Sequence, residues 1–141
     1  MFVQLIGQAP WTPAIARVCI ALVFIVAGFG KLQGYDATVG YIGSLTNESV
    51  AAFLTVAAII FELGGGLMLL FNYKTEHAIA MLIVFTVVAI FIGHTDFSDP
   101  AKSQMNMTQI LKNLAIIGGL LLAARMVVRE PEAVAAPQNH L

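Results

Sequence analysis

The chain has 141 residues, of which 59% are hydrophobic and only 11% charged, against roughly 25% charged in an ordinary soluble domain. With a mean hydropathy of +0.86 it lacks the polar residues to cover a water-facing surface, which excludes a solvated multidomain enzyme and makes a membrane protein the default. A formal net charge of -1 supplies no basic field for phosphates, which excludes nucleic acid as a partner, and the lone Cys19 excludes an internal disulfide, a CxxC redox pair and a thiolate zinc site.

Four apolar stretches approach the roughly 20 helical residues that a bilayer core of about 30 Å requires. The first covers residues 13–32. No Lys or Arg precedes it and no small-residue cleavage pattern follows, so it is expected to persist as a helix with Trp11 at the interface. A loop with Gly34, Tyr35, Asp36 and Gly40 leads to the second span, 50–71, which carries Gly64, Gly65 and Gly66. A tight turn over 72–76 joins it to the third span, 77–94. Between Ala78 and Gly93 that span holds no charge and only Thr86 as a polar side chain, so it lacks the polar face of a soluble amphipathic helix. A polar segment with Asp96, Asp99, Pro100 and Lys102 precedes the fourth span, 107–127. The Pro- and Ala-rich tail, 130–141, is expected to be disordered, leaving 1–129 as the transmembrane domain.

Even spans and short connections predict an all-α polytopic membrane protein, an antiparallel four-transmembrane-helix bundle whose paired glycines let backbones approach closely. Arg17, Lys74, Arg125 and Arg129 fall on one side and Lys31, Lys102 and Lys112 on the other, and this bias leans toward cytoplasmic termini.

Glu62 lies near the middle of the second span, where an unpaired acid costs about 2.5 to 3.5 kcal/mol. It needs a proton, a cationic partner or a water-filled cavity, and it is the candidate proton carrier. Antiparallel packing brings Lys31 at the end of the first span, His94 at the end of the third, and Gln109, Lys112 and Asn113 at the start of the fourth toward one membrane face. The last three are spaced i, i+3, i+4 and share one helix face. Together with Glu62 these five form a candidate polar binding cluster. Two readings stand for Lys31 and Lys112, cluster members or snorkelling anchors, and His94 can equally cap its helix. Either lysine can serve as the partner of Glu62, since the register between helices is open. Arg17 is about 21 Å from Lys31 along the first helix and reads as an anchor at the opposite face. His77 and His94 lie about 25 Å apart on one helix, which excludes a self-contained bis-His haem, and Glu62 with His94 is too small a ligand set for a metal site.

An Arg opening the first helix, then Ala27-Gly28-Phe29-Gly30-Lys31-Leu32, Phe61-Glu62-Leu63-Gly64-Gly65-Gly66, a His closing the third helix, and Lys112-Asn113-Leu114-Ala115 with Gly118-Gly119-Leu120-Leu121 together resemble the DoxX family of small membrane proteins. The resemblance runs from Arg17 to about Ala124. It implies a four-helix protein of the bacterial or archaeal inner membrane, with some relatives linked to quinone redox chemistry, and its signature polar positions fall on Arg17, Lys31, Glu62, His94, Lys112 and Asn113.

The leading functional expectation is an accessory component of a membrane redox or quinone-linked system. A quinone headgroup presents two carbonyl oxygens to which Lys112, Asn113 or His94 can donate while Glu62 carries a proton, and the apolar helices hold the isoprenoid tail. Expected partners are membrane lipids, a quinone, and a second copy or a membrane redox protein. The alternatives are a structural subunit whose polar residues fix helix register, and a small proton-coupled transporter.

Overall fold

A computed structural model describes the backbone of residues 1–135 and the side chains through residue 127; residues 136–141 of the expected tail lie outside the described residues. The elements are α1 (Phe2–Gln8), α2 (Thr12–Gln33), α3 (Tyr35–Leu45), α4 (Glu48–Leu70), α5 (Thr75–Gly93) and α6 (Pro100–Ala135). Four of them, α2, α4, α5 and α6, are long and apolar enough to cross a membrane. The all-α four-span architecture is therefore as the sequence predicts.

Local chemistry fixes the helix starts. Pro13 lies in the first turn of α2, where its missing N–H costs nothing. Asn47 caps α4 by accepting the Ser49 N–H at 2.8 Å. Asp99 accepts the Lys102 N–H at 2.9 Å as α6 begins, so that helix starts at Pro100 rather than at Met107. In the turn from α4 to α5, Asn72 and Lys74 adopt left-handed backbone with φ of 55° and 44°, and Thr75 Oγ1 donates to Asn72 Oδ1 at 2.8 Å.

Two further segments depart from the sequence expectation. The stretch read as a loop from its glycines is the helix α3, separated from α2 by Gly34 alone. Its glycines are tolerated because the helix is packed: a Cβ on Gly43 would sit 3.6 Å from Ala51 and 3.7 Å from Glu48, ordinary contact distances. Tertiary contact has here overridden propensity. The short α1, also unforeseen, buries none of its residues.

Around the bundle α2 packs on α4, α4 on α5, α5 on α6 and α6 back on α2, while α3 lies chiefly against α4. Three glycines set the close approaches. A Cβ at Gly28 would fall 2.9 Å from Leu63 Cγ and 3.0 Å from Glu62 Cβ; at Gly65, 2.8 Å from Leu82 Cγ; at Gly66, 2.8 Å from Ile25 Cγ1 and 3.3 Å from the Ala21 carbonyl oxygen. These contacts fix an antiparallel register in which Gly28 faces Glu62 and Gly66 faces Ala21 and Ile25. The tightly packed core, Ala21, Phe24, Leu69, Ala78, Ile79, Leu82 and Leu120, fills the half of the bundle that holds the α4–α5 turn.

Because backbone atoms crowd the Gly66 position while nothing lies within 4 Å of a Cβ at Gly64, the two neighbours should respond oppositely to the same change. Gly66→Ala should destabilise by about 1–3 kcal/mol through overpacking. Gly64→Ala should be neutral or stabilising by up to about 1 kcal/mol through helix propensity. Thermal unfolding of the two variants in one detergent checks the contrast, and equal midpoints would contradict the packing described.

Candidate functional site

The half of the bundle opposite that core holds a cavity of about 440 Å³, walled by α2, α3, α4, α5 and α6. Lys31, Glu62, His94, Gln109, Lys112 and Asn113 all line it, and the rest of its wall is mostly apolar. The helix register explains the gathering. Lys31 follows Gly28 by one turn, which carries its side chain past the point where Gly28 faces Glu62. Gly119 of α6 packs on Ile20 of α2, so Lys112, two turns before Gly119, stands near the height of Ala27 and thus near Glu62.

Glu62 is 5% exposed, the least exposed charged residue among those described. Its partner is Lys31, whose Nζ donates to Oε1 at 2.8 Å. That resolves the choice between the two lysines that the sequence leaves open. The other carboxylate oxygen, Oε2, is buried and has no hydrogen-bond partner among the described residues. Lys112 makes no ion pair among the described residues, so the cavity wall holds one cation–anion pair and one further cation.

His94 follows the last residue of α5, and its backbone N–H closes the helix on the Ile90 carbonyl at 3.2 Å. It therefore both caps α5 and lines the cavity. Its Nδ1 is buried without a partner among the described residues. Burial, with the charges of Lys112 and Lys31 acting in the same direction, holds its pKa below the ordinary imidazole value, so the ring is neutral at pH 7. The connection after it is pinned: Lys102 Nζ donates to Asp96 Oδ2 at 2.8 Å and Asn106 Nδ2 to the Asp96 carbonyl at 2.6 Å. The hydrogen bonds from Lys102 and Ser98 hold the Asp96 carboxyl well below the usual carboxylate range.

Arg17 is not part of the wall. It sits in the first turns of α2, about 21 Å along the helix from Lys31, as the sequence spacing requires.

Three contributions were missed in the sequence. Thr38 and Tyr41 of α3 line the cavity, and the Tyr41 hydroxyl donates to the Gly93 carbonyl at 2.9 Å, tying α3 to the end of α5. The signal existed, since Thr38, Tyr41, Ile42 and Leu45 recur at helical spacing, but the glycines outweighed it. Phe61 and Phe85 stack with ring centroids 6.2 Å apart and an interplanar angle of 10°, forming an aromatic patch on the apolar wall. Asn106 is 3% exposed beside the polar end, and nothing in its sequence context marks it.

Comparison with known proteins follows the same residues. The DoxX family profile matches residues 12–95, from α2 through the end of α5. The chain is 36% identical over 110 residues to inner membrane protein YqjF of Escherichia coli (strain K12), covering 78% of this chain and 79% of that protein. It is 31% identical over 112 residues to inner membrane protein YphA of the same organism, with coverage of 78% and 79%. A protein of Bacillus subtilis (strain 168) named "Putative oxidoreductase CatD" is 32% identical over 90 residues, covering 57% of this chain and 64% of that one. No solved structure matches. With four apolar helices, a profile match across more than half the chain and two inner-membrane relatives above 30% identity, the chain belongs to the DoxX family and is a multi-pass inner-membrane protein.

Proposed function

We propose that this protein binds a quinone in the polar-ended cavity and serves as the membrane component of a redox system. The observation that carries the reading is the composition of the cavity wall. A buried, ion-paired carboxylate and several hydrogen-bond donors stand at one end of a space of about 440 Å³ whose remaining wall is mostly apolar. That volume lies within the roughly 300–1,000 Å³ typical of small-molecule sites.

The residues fit such a headgroup. Its carbonyl oxygens accept only, and Lys112, Asn113 and Gln109 are donors on one face of α6. The neutral His94 ring offers one N–H and one acceptor nitrogen. Phe61 and Phe85 supply an aromatic wall against which a ring can lie. A bound quinone supplies two-electron chemistry, and the chain's own groups bind it, orient it and exclude water. Glu62, paired with Lys31, would take up a proton released from a ring hydroxyl at the cavity's polar end. That a relative is named an oxidoreductase agrees with this assignment.

Two measurements test the reading. Protein purified natively in mild detergent and extracted with solvent should yield about one quinone per chain by mass spectrometry. Ala58→Trp, which projects an indole from α4 into the cavity wall, should lower that yield at least about tenfold, the loss expected when a pocket of this kind is filled. Wild-type protein free of quinone would overturn the proposal and leave a structural subunit.

The second measurement separates the ion pair's structural part from its ligand part. Lys31→Met alone should destabilise by about 3–5 kcal/mol because it strands the Glu62 charge, whereas Lys31→Met with Glu62→Met should recover most of that loss. The double variant should fold and still hold quinone through Lys112 and its neighbours on α6. Loss of quinone from a folded double variant would show that the pair itself carries the binding.

A further inference from the structure

The two oxygens of Glu62 are not equivalent. Oε1 accepts from Lys31 at 2.8 Å, while Oε2 is buried and receives no hydrogen bond from any described residue. Glu62 is itself 5% exposed and lines the cavity, so its carboxylate borders the cavity's polar end. A carboxylate held by a lysine accepts hydrogen bonds and donates none. Buried polar atoms of this kind are almost always satisfied in proteins, so an unsatisfied one beside a cavity calls for a partner.

Building on the quinone reading, we infer that the cavity discriminates between the two redox forms of its ligand and prefers the reduced, hydroxyl-bearing headgroup. A hydroquinone offers an O–H that Glu62 Oε2 can accept. An oxidised headgroup sets a carbonyl oxygen there instead, lone pair against carboxylate, with no proton between them. The groups on α6 do not discriminate. Lys112 donates to an oxygen of either form, because a phenolic oxygen and a carbonyl oxygen both accept. Redox selectivity therefore rests on Glu62, and general affinity on Lys112 and its neighbours. The proposal concerns binding alone and transfers no electrons. By linkage, tenfold tighter binding of the reduced form raises the midpoint potential of the bound couple by about 30 mV for two electrons.

The test uses the full chain in lipid nanodiscs under anaerobic conditions, with a decyl-substituted benzoquinone and its chemically reduced hydroquinone as probes and calorimetric titration as the readout. Wild type should bind the hydroquinone about tenfold or more tighter than the quinone, the discrimination expected of a hydrogen bond to a charged acceptor. Glu62→Gln keeps an oxygen for Lys31 but replaces Oε2 with an amide donor, so the preference should disappear or turn toward the quinone. Lys112→Met should weaken both probes alike and leave their ratio unchanged.

Equal affinities in wild type, or tighter binding of the quinone, would overturn the inference while leaving the quinone site standing. Binding of neither probe would overturn the site and the inference together. A folded Glu62→Gln protein that loses both probes equally would assign Glu62 a structural role and defeat the claim of selectivity. Should that variant fail to fold, the wild-type ratio decides, with Lys112→Met as the control.

Discussion

The Lys31–Glu62 ion pair is the constraint around which the bundle is arranged. A carboxylate in the middle of an apolar helix is tolerated only where a partner reaches it, and the partner here comes from the last turn of α2. Reach alone does not bring the two together. The helices must approach closely enough for a 2.8 Å contact, and Gly28, one turn before Lys31, supplies that approach by presenting no Cβ to Glu62 and Leu63. Ion pair and glycine thus act as one device: the glycine sets the spacing between helices, and the charges specify the register along them.

That register has consequences for the rest of the fold. With Lys31 held at the level of Glu62, α2 ends beside the middle of α4, leaving the first turns of α4 without α2 beside them. α3 takes that place, packing Gly43 against Ala51 and Glu48 and reaching α5 through the Tyr41–Gly93 hydrogen bond. A short helix lying chiefly against α4 fills less space than a continuous α2 would. The cavity has α3 as one of its walls. At the other end Gly65 and Gly66 draw α5 and α2 onto α4 around the buried core. Packing and ligand space are thereby divided between the two halves of one small bundle.

Much of this was legible in the sequence, and the part that was not has a physical reason. The four spans follow from length and hydropathy, which need no knowledge of partners. The placement of Lys31, His94, Gln109, Lys112 and Asn113 toward one membrane face follows from antiparallel alternation, and Arg17 was separable from them by helical rise alone. The partner of Glu62 was not legible. Choosing between Lys31 and Lys112 requires the axial register of three helices, and that register is set by contacts such as Gly28 on Leu63 and Gly119 on Ile20, between residues far apart in the chain. α3 was hidden by Gly34, Asp36 and Gly40, which read as breakers; its helix is stabilised by contact with α4, a term absent from local propensity. The cavity depends on both, and so could not be read from the chain.

The unequal treatment of the two Glu62 oxygens follows from the same geometry. A single lysine arriving from the last turn of α2 pairs with Oε1, and Gly28, which lies against the Glu62 Cβ, brings no side chain of its own. Lys112 stands at a similar height on α6, yet it lines the cavity from another wall and makes no ion pair with the carboxylate. In a low-dielectric interior an unshared acceptor and an unshared cation interact strongly with whatever lies between them. Both line one cavity whose remaining wall is mostly apolar, and that contrast is the asymmetry an amphipathic ligand requires.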